Sequence, residues 1–125
     1  MKKIFLCYDI AYDKLLRNYI NAKEMAGDSP YTVAGVSSTK TSLVAKWEKE
    51  TRKKIEGAEV VLVMVGEHTY KEPQVAEEIA IAKEYGKPVI QMIGRNDRGI
   101  DECPSVADAG ELYLWNWNKL KELLS

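Results

Sequence analysis

The chain has 125 residues, of which 46% are hydrophobic and 30% charged, enough apolar material for one core beneath a well-solvated surface. Eighteen basic residues face 19 acidic ones, giving a formal net charge of −1. These figures exclude a two-domain enzyme, a disordered tail protein and a basic field for nucleic acid or anionic membrane.

In chain order, the run IFLCY at residues 4–8 reads as a strand buried on both faces, because it is continuously apolar rather than alternating. It is too short for the ~7–15-residue core of a signal peptide. No stretch approaches the ~18 apolar residues of a membrane span, so a soluble cytoplasmic domain is expected. Tyr12, Leu15, Leu16, Tyr19 and Ile20 then follow helical spacing. TVAGV at 32–36 is a weaker strand, interrupted by Gly35. Leu43, Val44, Trp47, Thr51 and Ile55 mark a second helix ending at Gly57, and VVLVMV at 60–65 is a second clear buried strand. Val75, Ile79 and Ala82 define a third helix, which Pro73 opens and Gly86 closes. PVIQMI at 88–93 is the next strand, and residues 94–110 form the longest irregular stretch. LYLW at 112–115 and a helix holding Leu120, Leu123 and Leu124 complete the chain.

Regular alternation of strands and helices predicts right-handed βαβ units around a parallel sheet. The expected fold is one α/β domain over residues 1–125, a flavodoxin-like three-layer sandwich with five parallel strands in the order 2-1-3-4-5. Ligands in such sheets bind beyond the carboxyl ends of the strands, beside strand 1. That places residues 8–13, the hydroxyl-rich loop 37–42 with Lys40, residues 66–70 and residues 94–97 around a candidate cleft. Neither GxGxxG nor GxxxxGK[ST] occurs, so a Rossmann dinucleotide site and a P-loop are not expected. Gly66-Glu67 stands where a receiver domain needs its acceptor aspartate. Asp9 and Asp13 would repel the phosphate of a bound flavin. Cys7 and Cys103 have no CxxC partner and His68 is the single histidine, so no metal site is expected and both thiols should be reduced.

The third helix carries one misplaced charge. At ~100° per residue, Glu78 falls about 60° from Val75, within the apolar arc that runs from Ile79 to Ile81. Glu77 and Glu84 fall on the opposite, solvent side. A core-facing carboxylate is costly unless a ligand or partner uses it. It could cap a backbone group or pair with a lysine, or it could open into the cleft and engage a hydroxylated substrate.

The run GEHTYKEPQVAEEIAIA at 66–82, followed by GKPVI at 86–90, resembles TIR-like domains. More narrowly it resembles the small prokaryotic group that includes the TIR proteins of Thoeris anti-phage defence. IFLCYD at 4–9 and IEGAEVVLVMVG at 55–66 support the resemblance, which covers residues 3–93. It implies cleavage of the nicotinamide–ribose bond of NAD, which is substrate rather than cofactor, with ADP-ribose or a derived signalling nucleotide as product. The family's catalytic glutamate lies on a pattern x-V-x-x-E-I, which falls here on residues 74–79 and selects Glu78. Many relatives have tryptophan before that valine, where this chain has Gln74.

Under this reading Tyr8 or Tyr12 could stack on a planar ring, or instead pack under the first helix. Asp9 and Asp13 could contact ribose hydroxyls, although Asp13 equally suits a helix N-cap. His68 joins the candidate binding residues as a strand-end loop side chain, and Trp47 is expected in the core. Anionic parts of a dinucleotide would have to rely on local groups such as Lys40, Arg95 and helix N-termini. The expected partners are NAD or a related nucleotide, together with self-association or an activating protein. A non-catalytic interaction module and a nucleoside deoxyribosyltransferase-like enzyme are the competing readings.

Overall fold

A computed structural model describes residues 1–40, 42–95 and 97–125. Thr41 of the hydroxyl-rich loop and Asn96 beyond the fourth strand lie outside the described residues. The chain runs β1 (Lys2–Cys7), α1 (Lys14–Lys23), β2 (Tyr31–Val36), α2 (Val44–Glu56) and β3 (Val60–Val65). A 3-10 turn (Thr69–Lys71), α3 (Pro73–Glu84), β4 (Val89–Ile93), β5 (Leu112–Tyr113) and α4 (Trp117–Leu123) follow.

All strand pairs are parallel, in the order β2-β1-β3-β4-β5. The flavodoxin-like arrangement expected from the alternation is therefore present, and the connections change direction between β1 and β3. β1 and β3 are the central strands, which explains their unbroken apolar character: every residue of β3 is buried. The pairing of β1 with β2 shifts between Ile4 and Phe5, so that Ile4 faces Val33 and Phe5 faces Gly35.

Two apolar clusters cover the two faces of the sheet. Phe5, Cys7, Val61 and Val63 meet Ile55 of α2 and Val75, Ile79 and Ala82 of α3. Ile4, Leu6, Leu62 and Met64 meet Leu16 and Ile20 of α1 and Leu120 of α4. The irregular residues 94–110 are no free loop, because Cys103, Val106 and Ala109 are buried in the first cluster. Gln91 of β4 fastens them. Its Nε2 donates to Ser105 Oγ (2.9 Å), Val106 O (3.2 Å) and Gly110 O (2.6 Å), and its Oε1 accepts from Val106 N–H (2.8 Å).

α3 begins as its sequence dictates. Pro73 occupies the first turn and Glu72 caps it, accepting from Gln74 N–H. The helix ends at Tyr85, and Gly86 follows with φ +67°, the left-handed turn that favours glycine. The apolar stripes of α1 and α2 are only partly used. Leu16 and Ile20 are buried, whereas Leu15 and Tyr19 are exposed, and Tyr12 lies ahead of the helix with 67% of its surface exposed. At ~100° per residue Leu16 and Ile20 lie to one side of the stripe and Leu15 and Tyr19 to the other, so the sheet covers half of it. In α2, Trp47, Thr51 and Ile55 are buried while Leu43 and Val44 stay exposed.

Candidate active site

The carboxyl ends of β1, β2 and β3 converge on the first turns of α3, and Glu78 sits where they meet. Its side chain is fully buried. Oε1 accepts from Ser37 Oγ at 2.6 Å and from the Cys7 thiol at 3.2 Å, and Oε2 accepts from Gln74 Nε2 at 3.4 Å. Helical rotation therefore places Glu78 where the sequence predicts it, and no lysine pairs with it. Glu77 and Glu84 face outward and pair with Lys40 and Arg52.

Burial pushes the Glu78 carboxyl up to about 7, with the bonds from Ser37, Cys7 and Gln74 pulling the other way and the Glu77 charge adding slightly to the rise. The Cys7 thiol is pushed well above its ordinary range by burial and by Glu78, so it stays protonated and donates. Ser37 is held in place from the backbone. Tyr8 N–H donates to Ser37 Oγ (3.2 Å) and Ser37 N–H donates to Leu6 O (2.9 Å). Cys7 and Ser37 have no mark of function in the sequence beyond standing at strand ends beside the crossover reversal.

A cavity of about 220 Å³ opens beside this cluster, lined by residues that include Tyr8, Asp9, Thr39, Glu72 and Gln74. Gln74 links the two, for it lines the cavity while donating to Glu78 and to Ser38 O. Asp9 is 1% exposed. Its Oδ1 accepts from Ala11 N–H (3.0 Å), and its Oδ2 has no hydrogen-bond partner among the described residues. Tyr8 is buried, with the Arg17 guanidinium 5.8 Å from its ring centre.

The remaining predicted residues form a neighbouring group. Asp13 stands at the N-cap position of α1 without capping it; its Oδ2 accepts instead from Thr69 Oγ1 (3.2 Å), which itself accepts from Gly66 N–H (2.8 Å). Gly66 makes room for the Asp13 carboxylate, which a Cβ at that position would displace. Burial raises the Asp13 pKa, opposed by the Thr69 bond. Tyr12 does not pack under α1. Its ring stacks on His68 with centroids 4.0 Å apart and planes tilted by 30°. Tyr12 and Asp13 border a separate groove of about 540 Å³ with Leu15, Tyr19, Arg95 and Trp115. The structure thus sets Tyr8 and Asp9 in the wall of one cavity, with Glu78 behind Gln74 and outside the lining, and places Tyr12, Asp13 and His68 beside it, the groups joined by Asp13 N–H donating to Asp9 O (2.8 Å). Of the two expected anion-binding side chains, Lys40 is engaged by Glu77 at 2.6 Å and Arg95 by Asp97 at 3.2 Å. Trp47 is buried in the core as expected, and its Nε1 donates to Ser38 O.

Residues 5–98, from β1 through β4, match the family model described as Thoeris protein ThsB, TIR-like domain. The chain belongs to this family. The match spans every residue of the Glu78 cluster and of the adjoining cavity. No curated protein matches the chain. In this TIR-like domain no group of three or more His, Cys, Asp or Glu among the described residues is placed to hold a metal ion. No helix among them is long and apolar enough to cross a membrane.

Proposed function

We propose that this TIR-like domain cleaves the bond between nicotinamide and ribose in NAD, with Glu78 as the catalytic carboxylate. The observation that carries the reading is a fully buried glutamate, held only by neutral donors, one side chain away from a small cavity. A carboxylate kept in that setting at an energetic cost has a use in chemistry. The substrate enters with its nicotinamide ring in the cavity and its ribose at the mouth, and Gln74 swings aside to let a ribose hydroxyl reach Glu78. As the C–N bond breaks, its electron pair leaves with nicotinamide, which departs neutral and needs no acid. The positive charge left on the ribosyl ring is opposed by the ionised Glu78. Capture by water, with loss of a proton, gives ADP-ribose; capture by another nucleophile gives a cyclic or conjugated nucleotide. Such a product serves as a signal in anti-phage defence, the setting that the family's description supports.

The exposed strip of Leu15, Tyr12 and Tyr19 supports engagement of a partner or of further copies of the chain. Release of nicotinamide from NAD, followed by chromatography and mass spectrometry across a range of protein concentrations, tests the reading. Wild type releases nicotinamide, and Glu78→Ala and Glu78→Gln do not. Absence of release at every concentration, with and without lysate from phage-infected cells, overturns the enzymatic reading in favour of an interaction module. Full activity in both variants overturns the assignment to Glu78.

A further inference from the structure

We propose that the cavity beside Glu78 is a charge-selective subsite built on Asp9, which accepts a cationic or neutral ring bearing a hydrogen-bond donor and refuses the anionic analogue. Applied to the reaction proposed above, on which the naming of the ring rests, the occupant is the pyridinium carboxamide, and Asp9 is the residue that reads the amide.

Three observations converge. First, Asp9 is 1% exposed, and only one of its two carboxylate oxygens has a donor among the described residues. A buried oxygen without a partner is uncommon and costly, so a ligand that brings an N–H satisfies a need already built into the wall. Second, the described residues lining the cavity include two carboxylates, Asp9 and Glu72, and no lysine, arginine or histidine. The nearby cations lie outside the lining. Lys40 pairs with Glu77 and lies over the Trp47 ring, and Arg17 donates to Tyr8 Oη at 3.4 Å. The amino end of α3 gives no substitute, because Glu72 already covers it and accepts from Gln74 N–H. An anion entering this space meets two like charges and no counterion, which is the repulsive half of specificity. Third, about 220 Å³ is below the ~300 Å³ at which ordinary small-molecule pockets begin. It has room for one ring-sized group, and the phosphates of a dinucleotide must lie outside it.

The test uses a near-isosteric pair, N-methylnicotinamide (a cation with an amide) and N-methylnicotinate (the corresponding acid zwitterion). Each is titrated into the purified full chain and followed through backbone amide resonances. The expected result is at least tenfold tighter binding of the amide, with shifts at residues 8–11 and 74. In Asp9→Asn, whose side chain keeps the acceptor for Ala11 N–H and gains a donor for a carboxylate, the preference falls to within threefold. Equal binding of the two probes by wild type, tighter binding of the acid, or binding of neither overturns the proposal. An unchanged preference in Asp9→Asn overturns the role of Asp9. The wild-type ratio stands by itself should that variant fail to fold, and Glu72→Gln provides a second variant that weakens the preference. Cleavage of NAD is compared in parallel with cleavage of its nicotinic acid analogue. Amide-selective binding without any NAD cleavage leaves the subsite standing and removes the proposed reaction. NAD cleavage with unselective binding removes the subsite alone.

Discussion

Gln91 on β4 and Glu78 on α3 are both fully buried, yet the partners around each differ in kind. Gln91 is neutral, and its amide is matched by three acceptors and one donor, all from residues 105–110. Glu78 is an acid surrounded by a hydroxyl, a thiol and an amide, with no cation in hydrogen-bond contact among the described residues. A matched amide ties an irregular segment to the sheet and asks for nothing more. A carboxyl held by neutral donors keeps a proton equilibrium near neutrality, with no matching charge beside it. Burial alone therefore does not distinguish these two polar groups, whereas the charge balance of their partners does.

The comparison breaks if the two residues respond alike to substitution. The largest expected effect is on turnover. Glu78→Ala lowers kcat/KM for nicotinamide release about 10³-fold, or ~4 kcal/mol, while circular dichroism shows the native fold. Gln91→Leu should do the reverse, lowering stability by on the order of 3 kcal/mol in a urea titration, because it strands Val106 N–H and the carbonyls of Val106 and Gly110. Activity per folded molecule should be unchanged. A loss of turnover in folded Gln91→Leu would merge the two regions into one functional unit.

pH sharpens the contrast. The folded-state pKa of Glu78 is raised to about 7, so the native protein holds that proton more tightly than the unfolded chain does. Stability then falls as pH rises from the ordinary carboxyl range through about 7. Glu78→Gln removes this dependence, so its stability relative to wild type should improve by on the order of 3 kcal/mol between pH 5 and pH 8. Gln91→Leu should show the same deficit at both values. The smallest effect is expected from Ser37→Ala, which removes the short bond to Glu78 Oε1. Catalysis requires the ionised carboxylate, so wild-type kcat/KM should climb with pH through about 7. Without Ser37 that climb should move to higher pH by roughly fivefold in proton affinity, or ~1 kcal/mol.

The sheet order and the position of Glu78 were legible because each rests on local information. Unbroken apolar runs mark doubly covered strands, and a 3.6-residue period places one carboxyl among Val75, Ile79 and Ala82. The partners of that carboxyl were not legible, since Cys7 and Ser37 lie at the ends of separate strands and reach it only after the sheet has formed. Asp9 could be named from its place after the first strand, but its unpaired oxygen is a property of the folded wall. Asp13 carries the sequence features of a cap, and tertiary contact with Thr69 overrides them. Tyr12 reads as part of an apolar stripe, although the chain is not yet helical at that point and the ring is left to His68. Residues 94–110 have no period to read, and residues 105–110 are held by Gln91 of β4 rather than by their own pattern.

The placement of β1 at the centre of the sheet has a kinetic consequence. Ile4 pairs with Val60 and Cys7 with Val63, and Cys7 meets Glu78 across 71 positions of sequence. Contacts this distant are entropically late and give the chain a high contact order. Until β3 docks beside it, IFLC at residues 4–7 has one open edge even when paired with β2, and is aggregation-prone. The same delay means that the Glu78 cluster comes into being only with the closed core. Under the reaction proposed above, a partly folded chain has no assembled site, so the topology itself ties that chemistry to the completion of folding.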